Sequence, residues 1–254
     1  MKILKLLAVF VALFIWAGTQ TIRAQEISAV EIIKNADLKM RGETSQGTMI
    51  MTITRPSWER TVEMKTWSKG DDYSMIYITA PSKEKGQVFL KRGKEMWSWV
   101  PKIQRMIKVP PSMMMQSWMG SDFTNDDLVK QSSIVKDYTH AILGKEIIRE
   151  QECYKVKLIA KEDAPVSWGK IISWVTVDGF NTWRNEFYDE EDYLINTENA
   201  YDLKKMGDRI LPSKYEIIPE EDPGNKTTLI FKDMIFNKPI KASFFSIQNM
   251  KRIK

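Results

Sequence analysis

The spacing of apolar residues is helical only near the N-terminus of this chain. Apolar positions recur there at intervals of three and four residues, at Ala29, Ile32, Ile33, Ala36 and Met40. This spacing predicts an amphipathic helix over residues 28–40. Ser28 and Glu31 have the spacing of an N-terminal capping box, and the pair Arg41-Gly42 is typical of a helix end.

From Thr44 onward apolar and polar residues alternate, which predicts β-strands. The first series is expected at residues 48–54, 61–67, 73–80, 87–92, 96–100 and 105–109. Pro110-Pro111 ends this series, and a methionine-rich stretch and a short helix opening at Thr124 follow. The second series is expected at residues 138–149, 153–161, 170–178, 182–188, 193–204, 210–218 and 227–236.

Many consecutive short strands without an internal repeat predict a mainly β fold with a few helices, built on a single curved antiparallel sheet. Residues 75–78 and 171–175 are apolar or aromatic at successive positions, so both faces of these strands need cover. A helix, a lid and a bound ligand could share that task. A two-layer core without any cavity explains the same pattern equally well.

The N-terminus is typical of a secretory signal peptide. Lys2 and Lys5 precede an apolar stretch over residues 6–17, which is too short to span a bilayer. Cleavage is expected after Ala24, so that residues 25–254 form a single domain. An uncleaved anchor is the alternative. Removal of the signal lowers the net charge from +5 to +2, which is not typical of a nucleic-acid-binding protein.

The chain has few of the residues on which catalysis and metal binding usually depend. Cys153 is the only cysteine and His140 the only histidine, so neither an internal disulfide nor a histidine-rich metal site is expected. A nucleophilic pair of Cys153 and His140 on neighbouring strands is the one enzymatic arrangement left open. Phosphate-binding and dinucleotide motifs are absent, so we predict a protein that is not an enzyme and needs no cofactor.

A cluster of flexible methionines precedes the second predicted helix. Methionine suits surfaces that repack around varied apolar partners. We therefore predict a lid over a hydrophobic cavity, formed by Met113, Met114, Met115, Trp118, Met119 and Phe123. A lid that merely closes the core is the alternative. The predicted cavity residues lie on strands, at Met49, Met51, Met64, Trp97 and Trp99.

Three segments together resemble the LolA-like group of outer-membrane lipoprotein-sorting proteins. They are Trp97-Ser98-Trp99-Val100-Pro101 with Arg105, the stretch from Ser117 to Leu128 that contains Met119-Gly120-Ser121-Asp122-Phe123, and the C-terminal residues 244–252. The resemblance extends over nearly all of the chain after the signal. It implies an unclosed, half-open β-barrel with a helical lid, whose concave apolar face accepts acyl chains in the periplasm.

The resemblance also implies a function and partners. We predict a periplasmic carrier that receives acyl chains of lipoproteins or free lipids from an inner-membrane transporter, and delivers them to an outer-membrane acceptor. A resistance-nodulation-division (RND) type exporter could be involved, and Arg105 is a candidate polar contact of the lid. The alternative is a periplasmic sensor domain of the same fold that reports the state of the envelope to a membrane partner. No nucleic-acid partner is expected.

Overall fold

The computed structural model describes residues 27–130, 133–162, 164 and 166–254. The predicted signal peptide and its cleavage site lie outside the described residues. None of the helices in the described part of the chain is long and apolar enough to cross a membrane.

Three α-helices and thirteen β-strands form the described fold. The helices are α1 (Ala29–Arg41), α2 (Asn125–Lys130) and α3 (Ile247–Met250). The first six strands are β1 (Thr44–Arg55), β2 (Trp58–Lys69), β3 (Tyr73–Ala80), β4 (Val88–Arg92), β5 (Glu95–Val100) and β6 (Arg105–Lys108). The others are β7 (Tyr138–Ile148), β8 (Gln151–Ala160), β9 (Lys170–Thr176), β10 (Thr182–Tyr188), β11 (Leu194–Met206), β12 (Arg209–Pro219) and β13 (Lys226–Phe236).

All thirteen strands belong to one antiparallel sheet, in the order β6-β5-β4-β3-β2-β1-β13-β12-β11-β10-β9-β8-β7. The two predicted strand series are therefore the two halves of the sheet, joined where β1 pairs with β13. β6 and β7 are free edges, so the sheet is not closed into a barrel. The predicted fold class, a mainly β protein with an unclosed antiparallel barrel, is confirmed.

Both helix starts that the sequence predicts are capped as expected. The Ser28 hydroxyl accepts a hydrogen bond from the Glu31 amide, and the Glu31 carboxylate accepts from the Ser28 amide. At α2 the Asp127 amide donates to the Thr124 hydroxyl at 3.0 Å, and the Thr124 amide donates to the Asp127 carboxylate at 2.8 Å. Each box satisfies two backbone N–H groups that would otherwise lack partners at the helix start.

The inner face of the first half of the sheet is covered by residues 109–128, which we call the Met-rich segment. This face carries the fully buried core residues Met51, Ile53, Val62, Met64 and Ile78. The inner face of the second half is covered by α1, whose Ile32, Ile33 and Ala36 pack against Val156, Leu158 and Val175. The helix and the Met-rich segment therefore lie side by side over one concave surface.

The outer face of the first half is covered by the C-terminal residues 240–253. Phe245 and Met250 are 0% and 1% exposed, and they pack against Met75, Leu90 and Trp99. In the second half, the outer face is covered differently. Trp174 is instead covered by charged side chains: Lys155 and Arg184 lie 5.0 and 5.3 Å from its ring centroid. These covers explain why several strands are apolar on both faces.

We expect Phe245→Ala to lower the free energy of unfolding by about 3–5 kcal/mol, because it leaves a cavity under the C-terminal cover. Urea denaturation of the two proteins measures the difference. Tyr193→Ala is the matched control, because the Tyr193 side chain is 70% exposed and its loss should cost less than about 1 kcal/mol. Equal losses in the two variants would contradict a packed C-terminal cover.

Candidate functional site

A cavity of about 260 Å³ lies between the inner face of the sheet, helix α1 and the end of the Met-rich segment. Its sheet wall comes from Tyr138 on β7 and from β9 to β13, in the second half of the sheet. Its apolar lining includes Ile33, Ile171, Leu211, Tyr215, Leu229 and Phe231. Concave sites with apolar walls and a few polar groups are typical of small-molecule binding.

A stripe of polar side chains crosses the floor of this cavity. Ser173 on β9 lies opposite Asn185 on β10, which in turn lies opposite Glu198 on β11. We call these three residues the polar stripe; all three line the cavity. The Asn185 amide donates a hydrogen bond to the Glu198 carboxyl at 2.9 Å. The cavity is therefore amphipathic rather than uniformly apolar.

The environment of Glu198 disfavours its charged form. Protein atoms surround the carboxyl, and burial raises its pKa above the usual value; the hydrogen bond from Asn185 opposes this shift, and the charge of Asp127 adds to it. Asp127 is also enclosed, and burial raises its pKa in the same direction. The floor of the cavity therefore favours neutral carboxyl groups.

The Met-rich segment packs on the sheet at Met114 and from Trp118 onward, whereas residues 110–113 and 115–117 are exposed. Trp118 is 2% exposed and belongs to the core cluster of Met49, Met51 and Met64. Its ring contacts Phe89 edge-on, with the ring centroids 5.3 Å apart. From the same segment Met114, Met119 and Phe123 pack against this cluster, whereas Met113 and Met115 are 41% and 60% exposed.

A network of hydrogen bonds fixes the Met-rich segment to the sheet. Arg55 on β1 donates to the Asp122 carboxylate and to the Gly120 carbonyl oxygen, both at 2.9 Å. The Thr227 hydroxyl on β13 donates to the Asp122 carboxylate at 2.6 Å, and the Asp122 amide donates to Thr227 Oγ1 at 3.0 Å. Arg60 on β2 donates to the Met119 carbonyl oxygen. The segment is therefore held at the junction of the two halves of the sheet.

The loop after β8 closes the cavity beside α2. The Trp168 indole donates to the Asp127 carboxylate at 3.2 Å, and its ring packs against Phe187 with centroids 5.3 Å apart. The Ser167 hydroxyl donates to the Asp126 carboxylate. The start of α2 therefore connects the Met-rich segment to this loop.

The structure places the residues predicted for the cavity in two different locations. Met49, Met51 and Met64 lie together in the core beneath the Met-rich segment. Trp97 and Trp99 lie on the opposite face of the sheet, under the C-terminal cover. None of these five is among the described residues that line the cavity.

The residues predicted for the lid lie in the Met-rich segment, and one of them reaches the cavity. Phe123 lines the cavity and also packs on the methionine core. Leu128 has the same two sets of contacts. Arg105 is an exposed residue at the start of the edge strand β6, which leads into the segment.

Cys153 and His140 are not brought together. Cys153 pairs with Glu146 and His140 with Leu158, so the two positions lie six residues apart along β7, or about 20 Å. Cys153 is buried, and burial raises the pKa of its thiol to about 11, which disfavours the reactive thiolate. Among the described residues, no three His, Cys, Asp or Glu side chains form a cluster that could hold a metal ion.

The polar stripe was not predicted from the sequence. A polar residue within a strand is usually assigned to the solvent face, and the pairing of Asn185 with Glu198 on the next strand depends on the register of the two strands. The available signal was the alternation in β11, where Asn196, Glu198 and Ala200 occupy one face.

Asp122→Ala should lower the free energy of unfolding by about 3 kcal/mol, because it leaves the largely buried Arg55 guanidinium without its carboxylate. Chemical denaturation measures this loss. Asp208→Ala is the control and should leave stability nearly unchanged, because the Asp208 carboxylate is 67% exposed and Arg209 keeps its hydrogen bond to the Lys39 carbonyl oxygen. An equally small effect of Asp122→Ala would show that the network does not anchor the segment.

Glu198→Gln should change how stability depends on pH. Because its pKa is raised, Glu198 binds its proton more tightly in the folded state than in the unfolded state. The resulting contribution to folding stability is fully present below the usual pKa near 4.5. It is lost as pH rises through the raised pKa. Glutamine cannot ionise, so the variant should gain stability relative to the native protein as pH rises above about 4.5. Denaturation midpoints over this range test the expectation, and a constant difference would contradict it.

Comparisons with known proteins agree with this fold. A family model described as "Uncharacterized protein" matches residues 70–252. No curated protein matches the chain. A solved DUF1329 family protein from Desulfovibrio piger is 20% identical, with a TM-score of 0.79 over 87% of this chain and 97% of that one.

Two further structures have similar folds. A domain from Vibrio parahaemolyticus, named for outer membrane lipoprotein sorting, is 21% identical, with a TM-score of 0.77 over 88% of this chain and 98% of that one. A LolA superfamily protein from Nitrosomonas europaea is also 21% identical, with a TM-score of 0.74 over 88% and 99%. The LolA-like fold is thereby confirmed. Because the family model matches more than half of the chain, the protein belongs to that family.

Proposed function

We propose that the protein is a non-enzymatic periplasmic carrier that binds the acyl chains of lipoproteins or lipids. The observation that carries this proposal is the mainly apolar cavity between the sheet, α1 and the Met-rich segment. The Cys153–His140 pair, the one enzymatic arrangement that the sequence left open, is not assembled. Binding rather than chemistry is therefore the function that this site supports best.

The energetics of burial are sufficient for such a role. Each methylene transferred from water to an apolar site contributes about 0.8 kcal/mol. Ten methylenes would contribute about 8 kcal/mol, which corresponds to roughly micromolar affinity before the cost of ordering the chain. This affinity would allow a carrier both to hold its cargo and to release it to an acceptor.

The predicted route follows from the signal peptide and the fold. A chain exported across the inner membrane, with the fold of proteins named for outer-membrane lipoprotein sorting, would collect cargo at an inner-membrane transporter and deliver it to an outer-membrane acceptor. An RND-type exporter is one donor that fits this scheme.

The Met-rich segment would act as the lid of this carrier. Phe123 and Leu128 connect its packing on the methionine core to the wall of the cavity. Displacement of the segment would therefore change the cavity directly. The lid would move over the core side chains beneath it, Met49, Met51 and Met64. Arg105, at the start of the strand β6 that leads into the Met-rich segment, remains a proposed polar contact of the lid.

A sensor domain of the same fold is the second candidate, and one observation favours it. The edge strand β7 is exposed along most of its length, and its Ile147 and Leu143 are 76% and 49% exposed. An apolar free edge is suited to pairing with a strand of another protein. Such a sensor would form a stable complex with a membrane partner, whereas a carrier would be recovered free with bound lipid.

Met114→Asp should weaken the binding of an acyl ligand by at least about tenfold, because a charge at this half-buried position opposes packing of the lid. Tryptophan fluorescence titration with a fatty acyl probe measures the affinity. Met115→Asp is the matched control, because Met115 lies in the same segment but is 60% exposed. Unchanged binding by a folded Met114→Asp protein would contradict a role for the lid.

A further inference from the structure

The polar stripe is not explained by the binding of acyl chains alone. Ser173 and Asn185 are 2% and 8% exposed, yet both line the cavity. Burial of polar groups beside a hydrocarbon chain costs free energy unless hydrogen bonds compensate for it. A ligand with a polar head group would supply such bonds, whereas a bare chain would not.

Two amide oxygens near the stripe lack donors. Asn185 Oδ1 and Asn181 Oδ1 accept no hydrogen bond in the described part of the chain, and the two residues are 8% and 6% exposed. Both residues line the cavity. Buried amide oxygens normally accept a hydrogen bond, so these two are suited to a donor on the ligand.

Glu198, the third residue of the polar stripe, also lines the cavity. One of its carboxyl oxygens accepts from Asn185, and part of the residue remains accessible within the cavity. A protonated carboxyl can both donate and accept hydrogen bonds. Asn196, on the same face of β11, also lines the cavity and adds an amide that can do both.

The polar stripe contains no basic side chain that would favour an anionic head group. Among the described residues that line it, the acidic side chains are Asp37, Asp122, Asp127 and Glu198, and the only basic one is Lys39. The Lys39 ammonium already donates to the Gly179 carbonyl oxygen. A phosphate placed at the stripe would therefore lose its hydration without a basic side chain of the stripe beside it.

We propose that the polar stripe binds the uncharged, hydroxyl-bearing head group of an acylglycerol, and that the cavity discriminates against the same acyl chain carrying a phosphate. This inference rests on the carrier function proposed above and names its ligand class. The glycerol hydroxyls donate to the amide oxygens of Asn181 and Asn185. The Glu198 carboxyl offers the head group a further hydrogen-bonding partner, while the acyl chain lies against the apolar walls.

Three probes with one acyl chain test this assignment on the exported protein after removal of bound lipid. They are 1-oleoylglycerol, 1-oleoylglycerol 3-phosphate and methyl oleate, each titrated at neutral pH. We expect 1-oleoylglycerol to bind at least about tenfold more tightly than each of the others. Equal or tighter binding of the phosphate probe would overturn the assignment and leave the carrier function intact.

Two variants at one position then locate the recognition. Glu198→Gln keeps a neutral hydrogen-bonding side chain and should retain the preference for 1-oleoylglycerol. Glu198→Leu removes the polar group and should weaken 1-oleoylglycerol by about tenfold, with little effect on methyl oleate. A parallel loss for both probes in Glu198→Leu would assign the residue to the shape of the cavity and overturn the proposal. Failure of the native protein to bind any of the three probes would overturn the carrier function itself.

Discussion

The structure depends on one constraint: an open antiparallel sheet with apolar side chains on both faces must have both faces covered. A closed barrel fills its interior with its own side chains, whereas this sheet of thirteen strands has two free edges. The C-terminal residues and charged side chains cover the outer face. On the inner face the cover is shared between α1 and the Met-rich segment, and the cavity lies where these two covers meet.

The two halves of the sheet differ in how completely their inner faces are filled. In the first half, the Met-rich segment packs directly on Met49, Met51 and Met64. In the second half, α1 leaves the floor formed by Asn185, Glu198 and their neighbours accessible from inside. Phe123 bridges the two regions. A single segment can therefore be part of the core at one end and part of a binding site at the other.

The sequence predicts the elements well, because their causes are local. Alternation of side chains along a strand and the capping boxes at Ser28 and Thr124 depend on residues only a few positions apart. The location of the cavity depends instead on which strands become neighbours. The alternation of side chains around Met51 is the same whether Met51 faces a core or a ligand. The sequence around Trp97 does not indicate which face of the sheet the C-terminal residues will cover. The pairing of Asn185 with Glu198 requires the register between β10 and β11.

The central claim is that the cavity holds an acyl ligand. Native mass spectrometry of the protein purified from the periplasm without detergent, followed by extraction and identification of bound lipid, tests this claim most directly. The account predicts a stoichiometric acylated ligand that is lost or replaced when the Met-rich segment is loosened. An unliganded mass that stays unchanged after lipid is added would contradict it.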